Sequence, residues 1–447
     1  MKLDVQVLGK KVATLFRNRD EYVLQYLPGT KSTEFISLSM PVREEAWRWP
    51  RDLHPFFRQN LPEGYLLGVI REEFGPLLDG TDLSLLAVIG SSSIGRVTVT
   101  PEGIVPGEEP DLLQINDLLK GNNTADHFAS LVRRYARAAV SGVVPKFLAP
   151  AGKEEIPLGK PTLKTRQFII KGSDDTTPYL GFNEFYTMRV LERLRVTHVA
   201  RSIMSDDGKV LLVERFDVDE IGNPVSGLED ACGLLGMPPH EKYATTMEKV
   251  LNASRVYLPG TAVRAQLEGL GWLILTNFIV RNADCHSKNI ALYYTTLSDV
   301  KYTPVYDLVT TQAYPRFSHN PPALSIEGRQ TWHARKTLER FFNARLGISP
   351  RRFAEMVDVL SESAVEVGKE MVEASKNEPQ WRDMTKHMLH AWNEGINSLQ
   401  RTKSLQVIGS IEELLDEEGF SGIRKHAEDK VSFGRSELLG SRKKRND

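Results

Sequence analysis

The run Asn282-Ala283-Asp284-Cys285-His286-Ser287-Lys288-Asn289 constrains this chain more than any other segment. It begins where the most apolar stretch, Leu270 to Val280, ends. That stretch is interrupted by Gly271, Thr276 and Asn277 and is shorter than the roughly 18 residues a membrane span requires, so it reads as a buried core helix. After the polar run come Ile290-Ala291-Leu292-Tyr293-Tyr294, the turn residues Thr295 to Asp299, and Val300-Lys301-Tyr302, which together predict a hairpin. Asp307 follows it. An Asp and an Asn alone would do no more than cap a turn. A buried helix, a polar loop and a hairpin that returns a second carboxylate is instead the layout of a site held on a rigid scaffold.

The order of these residues suits phosphoryl transfer. That chemistry asks a protein to orient a hydroxyl, hold Mg²⁺ across phosphates and neutralise developing charge. Protein kinases use a loop Asp, an Asn after four intervening residues, and a further Asp beyond a short hairpin. Asp284, Asn289 and Asp307 have that order and spacing. Asp284 would take or orient the proton of the acceptor hydroxyl, and Asn289 and Asp307 would give Mg²⁺ the hard oxygen ligands it prefers. Lys288 would offset charge on the γ-phosphate. His286 serves equally well as a loop histidine bonded to backbone.

The remainder of the chain can supply a frame for such a site. With 447 residues, 41% hydrophobic and 26% charged, it can bury two or three cores. A net charge of −1 provides no global field for nucleic acid or an anionic membrane. Two cysteines, Cys232 and Cys285, are too few for a disulfide framework or a cysteine-built metal site, and Met1-Lys2-Leu3-Asp4-Val5 shows no secretory pattern. A cytoplasmic protein without a membrane partner is expected.

Alternating runs at Val5–Leu8, Val12–Phe16 and Tyr22–Tyr26, punctuated by Gly9-Lys10-Lys11 and Pro28-Gly29-Thr30, predict an antiparallel meander. Helical patterns follow at Leu66–Ile70 and Leu83–Val88. The Pro/Gly/acidic stretch from Pro101 to Pro110 then marks a boundary. Strand patterns recur at Lys146–Leu148, Gln167–Lys171 and Val210–Val213, with a helix beginning near Asn183-Glu184 between the last two. From Asp230 helix signals dominate. Ser349-Pro350 is an N-cap followed by proline at the first helical position, with Phe353, Met356, Val357 and Leu360 at helical spacing. The expected fold is α+β and two-lobed, like a protein kinase, with three parts: a β-rich N-terminal subdomain over 1–110, a small lobe over 111–220 and a mainly helical lobe over 221–447.

A kinase also needs a small-lobe lysine held by a helix glutamate. Lys171 closes the strand Phe168-Ile169-Ile170, and Glu184 opens the next helix. The best phosphate cover is the turn Ser141-Gly142-Val143-Val144-Pro145-Lys146, which is neither GxGxxG nor a Walker A loop. Val213-Glu214-Arg215-Phe216-Asp217 leaves the last small-lobe strand where a hinge would bind adenine through backbone groups.

Taken together, these blocks resemble the HipA family of bacterial serine/threonine kinases, the toxin halves of toxin-antitoxin pairs. The resemblance rests on Phe56-Phe57-Arg58-Gln59-Asn60-Leu61-Pro62-Glu63-Gly64, Ser141 to Lys146, Ile169-Ile170-Lys171, Asn183-Glu184, Val213 to Asp217, Glu229-Asp230, Asn282 to Asn289 and Pro304-Val305-Tyr306-Asp307, in family order over nearly the whole chain. It implies ATP and Mg²⁺ as cofactors and Asp284 as the catalytic residue. ATP contacts are implied from Ser141, Gly142, Val143, Val144, Pro145, Lys146, Lys171, Glu214, Arg215, Phe216, His286, Lys288, Asn289, Tyr306 and Asp307. A helix-turn-helix antitoxin is the implied partner, with DNA reached only through it. Protein substrates in the family include aminoacyl-tRNA synthetases, and growth arrest is the outcome.

The sequence departs from the family in its phosphate loop. Ala139 stands where the usual autophosphorylated serine would be, and Val144 where a glutamine is common. Ser141 is the hydroxyl left in that loop to carry autophosphorylation. Cys285, beside Asp284, is expected to be a small inert loop residue rather than a redox switch. Two other functions fit the same residues: a small-molecule phosphotransferase, and a catalytically weak co-repressor that binds an antitoxin.

Overall fold

The computed structural model describes residues 1–62, 64–75, 78–104, 115–121, 123–131, 133 and 162–400. The N-terminal meander forms as the alternation predicts. Strands β1 (Lys2–Val7), β2 (Lys10–Asn18) and β3 (Glu21–Tyr26) pair antiparallel, and β4 (Trp47–Pro50) and β5 (Val97–Pro101) complete a sheet ordered β4-β3-β2-β1-β5. Leu8 and Gly9 join β1 to β2 with both φ angles positive, the turn whose twist matches that of two paired strands. One face of the sheet buries Leu3, Val5, Leu15 and Leu24 against Phe56 and Phe57 of α1 (Pro55–Arg58). Helices α2 (Gly64–Phe74) and α3 (Asp82–Ile89) follow, and Leu86 of α3 joins that core.

After α4 (Ile115–Lys120), a second antiparallel sheet contains β6 (Thr162–Lys164), β7 (Phe168–Gly172), β8 (Ser202–Met204) and β9 (Val210–Glu214), in the order β6-β7-β9-β8. Helix α5 (Leu180–Glu192) lies across it. Val210 to Val213 of β9 are all apolar because both faces of the strand are covered. Val210 and Leu212 meet Ile170, Val69 and Leu118 on one side; Leu211 and Val213 join the main core on the other. Helix α5 begins three residues before the Asn183-Glu184 start, because Tyr179, at φ +53°, turns the chain into it.

The large lobe holds β10 (Gly227–Asp230), α6 (Ala231–Leu234), α7 (Met247–Arg255), α8 (Val263–Ile279), β11 (Ala291–Tyr294), β12 (Lys301–Tyr302), α9 (Arg335–Phe341), α10 (Pro350–Asn377) and α11 (Arg382–Leu399). Ser349 caps α10, accepting from the Arg352 amide at 3.2 Å, and Phe353, Met356, Val357 and Leu360 are fully buried. Helix α8 is the buried apolar helix expected before the polar loop, with Leu270 to Ile279 all buried. Its end is fixed by a close crossing. A Cβ on Gly395 of α11 would lie 1.9 Å from the Ile279 carbonyl oxygen, so only glycine lets the two helices meet there. The hairpin β11–β12 is present, and β10 adds a third strand at its edge, which puts Glu229 opposite Leu292 and Asp230 opposite Ala291.

Candidate active site

The polar run after α8 is a compact loop held by its own side chains. The Asn282 side-chain oxygen accepts from the Asp284 amide at 2.9 Å, and the Asn289 side-chain amide donates to the Asp284 carbonyl at 3.0 Å. The second bond leaves the Asn289 amide oxygen to act as an acceptor or metal ligand. Thr311 ties the loop to the segment beyond the hairpin, accepting from the Ala283 amide at 2.7 Å and donating to the Arg281 carbonyl at 3.0 Å. Arg281 and Asp307, which flank this unit, both sit in the left-handed region at φ +56° and +59°. Non-glycine residues reach that region at a cost, and such strain clusters where geometry is imposed for function.

The small lobe reaches the same place through one residue. Lys171, on β7, donates to Glu184 on α5 and to Asp307, each at 2.6 Å. The Glu184 side chain is 1% exposed, Lys171 12% and Asp307 23%, so the pair closes towards the interior and opens at Asp307. Burial by itself lowers the Lys171 pKa; the Asp307 and Glu184 carboxylates outweigh it, and the ammonium is held above its ordinary value.

The other predicted residues fall around this centre. Tyr306 is half-buried, its hydroxyl donates to the Lys288 carbonyl at 2.9 Å, and desolvation pushes its pKa well up. The Phe216 ring lies 5.8 Å from that of Tyr306 and 6.0 Å from Tyr293. Glu214 ends β9 beside Arg201, whereas the Arg215 side chain is committed to Asp217 and the Thr165 carbonyl. His286 is buried and meets the Tyr243 ring edge-on at 5.0 Å. Ser141, Gly142, Val143, Val144, Pro145 and Lys146 lie outside the described residues, as do Ala139 and the Lys146–Leu148 strand pattern.

Two contacts were not foreseen. The Tyr243 hydroxyl donates to Asp284 Oδ1 at 2.6 Å. Gln59, at the end of α1, binds the edge of β10 with both ends of its side chain: its amide donates to the Leu228 carbonyl and its oxygen accepts from the Asp230 amide, each at 3.0 Å. Its own carbonyl accepts from Lys288 Nζ at 3.2 Å. Nearby, buried Glu229 accepts from Ser37, the Leu38 amide and Tyr294, bridging the N-terminal subdomain and the large lobe. Burial raises the Glu229 pKa to about 7. Cys285 is buried as well, and burial, with Asp307 and Asp284 adding, pushes its thiol up to about 12.

The donor set fits Mg²⁺ bound with a nucleotide. Among the described residues no three His, Cys, Asp or Glu side chains cluster as a self-sufficient metal cage. One carboxylate and one amide oxygen are what Mg²⁺ takes from protein when phosphates and water complete its octahedron. No helix among the described residues is long and apolar enough to cross a membrane.

Comparison with known proteins agrees with this architecture. Residues 3–100 match the model of the HipA N-terminal domain, and residues 138–368, over half of the chain, match the HipA-like C-terminal domain. "Putative kinase Y4mE" of Sinorhizobium fredii is 27% identical over 74% of this chain and 82% of its own length. A "Putative kinase" of Haemophilus influenzae is 25% identical over 40% of this chain and 55% of its own length. The fold is shared with a chain of the Shewanella oneidensis toxin-antitoxin complex of HipA, HipB and operator DNA, at TM-score 0.57 and 19% identity, over 92% of this chain and 99% of that one. With both domain models matched in order along an α+β, kinase-like fold, the chain belongs to the HipA family.

Proposed function

We propose that this chain is an ATP-dependent serine/threonine-protein kinase that transfers the γ-phosphate to a protein hydroxyl and acts as the toxin of a toxin-antitoxin pair. The observation that carries the reading is the Lys171 node: one ammonium, 2.6 Å from both Glu184 and Asp307, joins a small-lobe strand, its helix and the carboxylate beyond the hairpin. A kinase needs a cation so placed to hold the α- and β-phosphates.

Asp284, in the loop that follows α8, accepts the proton of the acceptor hydroxyl as the oxygen attacks phosphorus. Asn289 and Asp307 hold Mg²⁺, which when bound neutralises phosphate charge and orients the γ-phosphoryl group. Lys171, kept cationic by its two carboxylates, passes from Asp307 to the nucleotide phosphates. Lys288, on the same loop as Asp284, would offset charge on the γ-phosphate. The backbone from Glu214 to Phe216 binds adenine, with the Tyr306 ring 5.8 Å from that of Phe216.

The toxin assignment and a helix-turn-helix antitoxin partner are supported by family membership and by the HipA–HipB–operator complex that shares the fold. DNA would be reached through that partner, consistent with a net charge of −1. Expression of the intact chain and of Asp284→Ala in growing cells, with and without a neighbouring helix-turn-helix protein, tests this. Arrest by the intact chain alone, relieved by the partner, is expected. Equal growth inhibition by both chains would reject a catalytic toxin, and repression retained by Asp284→Ala without any toxicity from the intact chain would favour a co-repressor.

A further inference from the structure

Asp284 accepts a hydrogen bond from a residue outside its own loop. Its Oδ1 accepts from the hydroxyl of Tyr243, 41 residues earlier in the chain, at 2.6 Å, the short distance of an O–H donor facing a carboxylate. Tyr243 lies between α6 and α7, in a segment fastened to the catalytic loop. The Ser287 amide and hydroxyl both donate to the carbonyl of Lys242, at 3.2 and 2.9 Å, and Ser287 is fully buried. The Tyr243 ring also meets the His286 ring edge-on, with centroids 5.0 Å apart and planes at 80°. Two consecutive loop residues besides Asp284 therefore hold Tyr243 in place: His286 packs on it and Ser287 anchors its neighbour.

Two roles suit a hydroxyl on a catalytic carboxylate. It can occupy the place of the acceptor hydroxyl and have to leave before reaction, or it can hold the carboxylate while the acceptor uses the remaining capacity of its two oxygens. A removable plug belongs on a loosely attached segment. Tyr243 is attached at its ring and at the preceding carbonyl to the very loop it serves, so the second role fits.

We propose that Tyr243 is a positioning residue for Asp284, its hydroxyl fixing the carboxylate in the orientation that meets the acceptor hydroxyl. The inference rests on the kinase reading and adds to it a residue outside the nucleotide and metal contacts that reading assigns. Fixing a reacting group pays in kcat, since a misplacement of about 1 Å costs on the order of 100-fold.

The test compares the full chain with Tyr243→Phe, Ser287→Ala and Asp284→Asn for phosphate transfer from labelled ATP, measuring kcat, KM for ATP and nucleotide affinity. Tyr243→Phe keeps the ring on His286 and removes only the hydroxyl. It is expected to lower kcat roughly 10- to 100-fold while KM for ATP stays within about twofold. Ser287→Ala is expected to lose less along the same axis. A Tyr243→Phe kcat equal to the intact chain overturns the inference, a raised kcat replaces it with a plug, and a loss confined to KM moves Tyr243 into nucleotide binding. Transfer retained by Asp284→Asn, or none by the intact chain, overturns the kinase reading instead and removes the inference with it. Should Tyr243→Phe fail to fold, 3-fluorotyrosine at position 243 gives a second readout. Its ¹⁹F resonance is expected to move when Asp284→Ala is introduced, and an unmoved resonance overturns the contact.

Discussion

Lys288 of the polar loop after α8 donates to the backbone carbonyl of Gln59, a residue 229 positions away at the end of the first helix of the N-terminal subdomain. The same glutamine binds the edge of β10 with both ends of its side chain, so it occupies the place a further strand would take. Strand β10 pairs with β11, which leaves that polar loop directly. The N-terminal subdomain is thereby part of the frame of the site.

Gln59→Ala should therefore affect both stability and catalysis. Two half-buried hydrogen bonds to backbone are lost, costing about 1–3 kcal/mol in unfolding free energy. Turnover should fall with them because the Lys288 acceptor is no longer held. Urea unfolding and steady-state transfer measured on the same preparation check both; unchanged turnover with lowered stability would restrict Gln59 to a structural role.

Lys171→Met should abolish measurable transfer and weaken nucleotide binding. The substitution removes the cation that meets Glu184 and Asp307, and it leaves buried Glu184 without that charge partner. Breaking a buried pair costs about 3–5 kcal/mol. Titration calorimetry with ADP and Mg²⁺, alongside thermal unfolding, separates the two effects. Full nucleotide affinity in the variant would remove Lys171 from the phosphate site.

Glu229 gives the junction of subdomain and large lobe a pH dependence. Its pKa is raised from 4.5 to about 7 by burial, against the hydrogen bonds from Tyr294, Leu38 and Ser37. The folded chain thus holds this proton more tightly than the unfolded chain. Its stabilising effect is complete below about pH 4.5 and is lost as pH rises through about 7, by up to about 3 kcal/mol. Glu229→Gln should flatten that part of the stability profile. Parallel wild-type and variant profiles between pH 5 and pH 8, on the order of a few units about the ordinary carboxylate range, would show that the carboxyl does not titrate there.

Cys285 should be chemically quiet despite its place beside Asp284. With its thiol pushed up to about 12 by burial and neighbouring carboxylates, almost no thiolate forms near neutrality. Transfer activity is expected to survive peroxide treatment, and mass spectrometry should find Cys285 unmodified. Inactivation traced to oxidised Cys285 would contradict this.

The parts of this protein legible in its sequence are those in which neighbouring residues share a job. Asp284, Asn289 and Asp307 stand out because a buried helix and a hairpin bracket them, and α10 because Ser349, Pro350 and its apolar stripe agree with one another. Lys171 and Glu184, 13 residues apart on a strand and the helix after it, were legible as a pair. The contact of Lys171 with Asp307, 136 residues away, is a product of the assembled lobes. Tyr243 gave no local signal, and Gln59 stood out only within the Phe56 to Gly64 block of the resemblance, with no role attached to it. One is a loop tyrosine in a segment without periodicity, the other a glutamine at the end of a four-residue helix, and each acquires its role only across a tertiary interface. Glu229 was visible as part of a resemblance, but its burial between two parts of the chain depends on β10 joining the hairpin.

The central claim is that Asp284 serves phosphate transfer to protein. Quantitative phosphoproteomics of cells expressing the intact chain against cells expressing Asp284→Ala tests it most directly, paired with transfer of labelled γ-phosphate into a cell lysate by the purified chains. New serine or threonine phosphosites that require Asp284, and label in protein, are the result expected. Indistinguishable phosphoproteomes, with label in small molecules alone or nowhere, would contradict it.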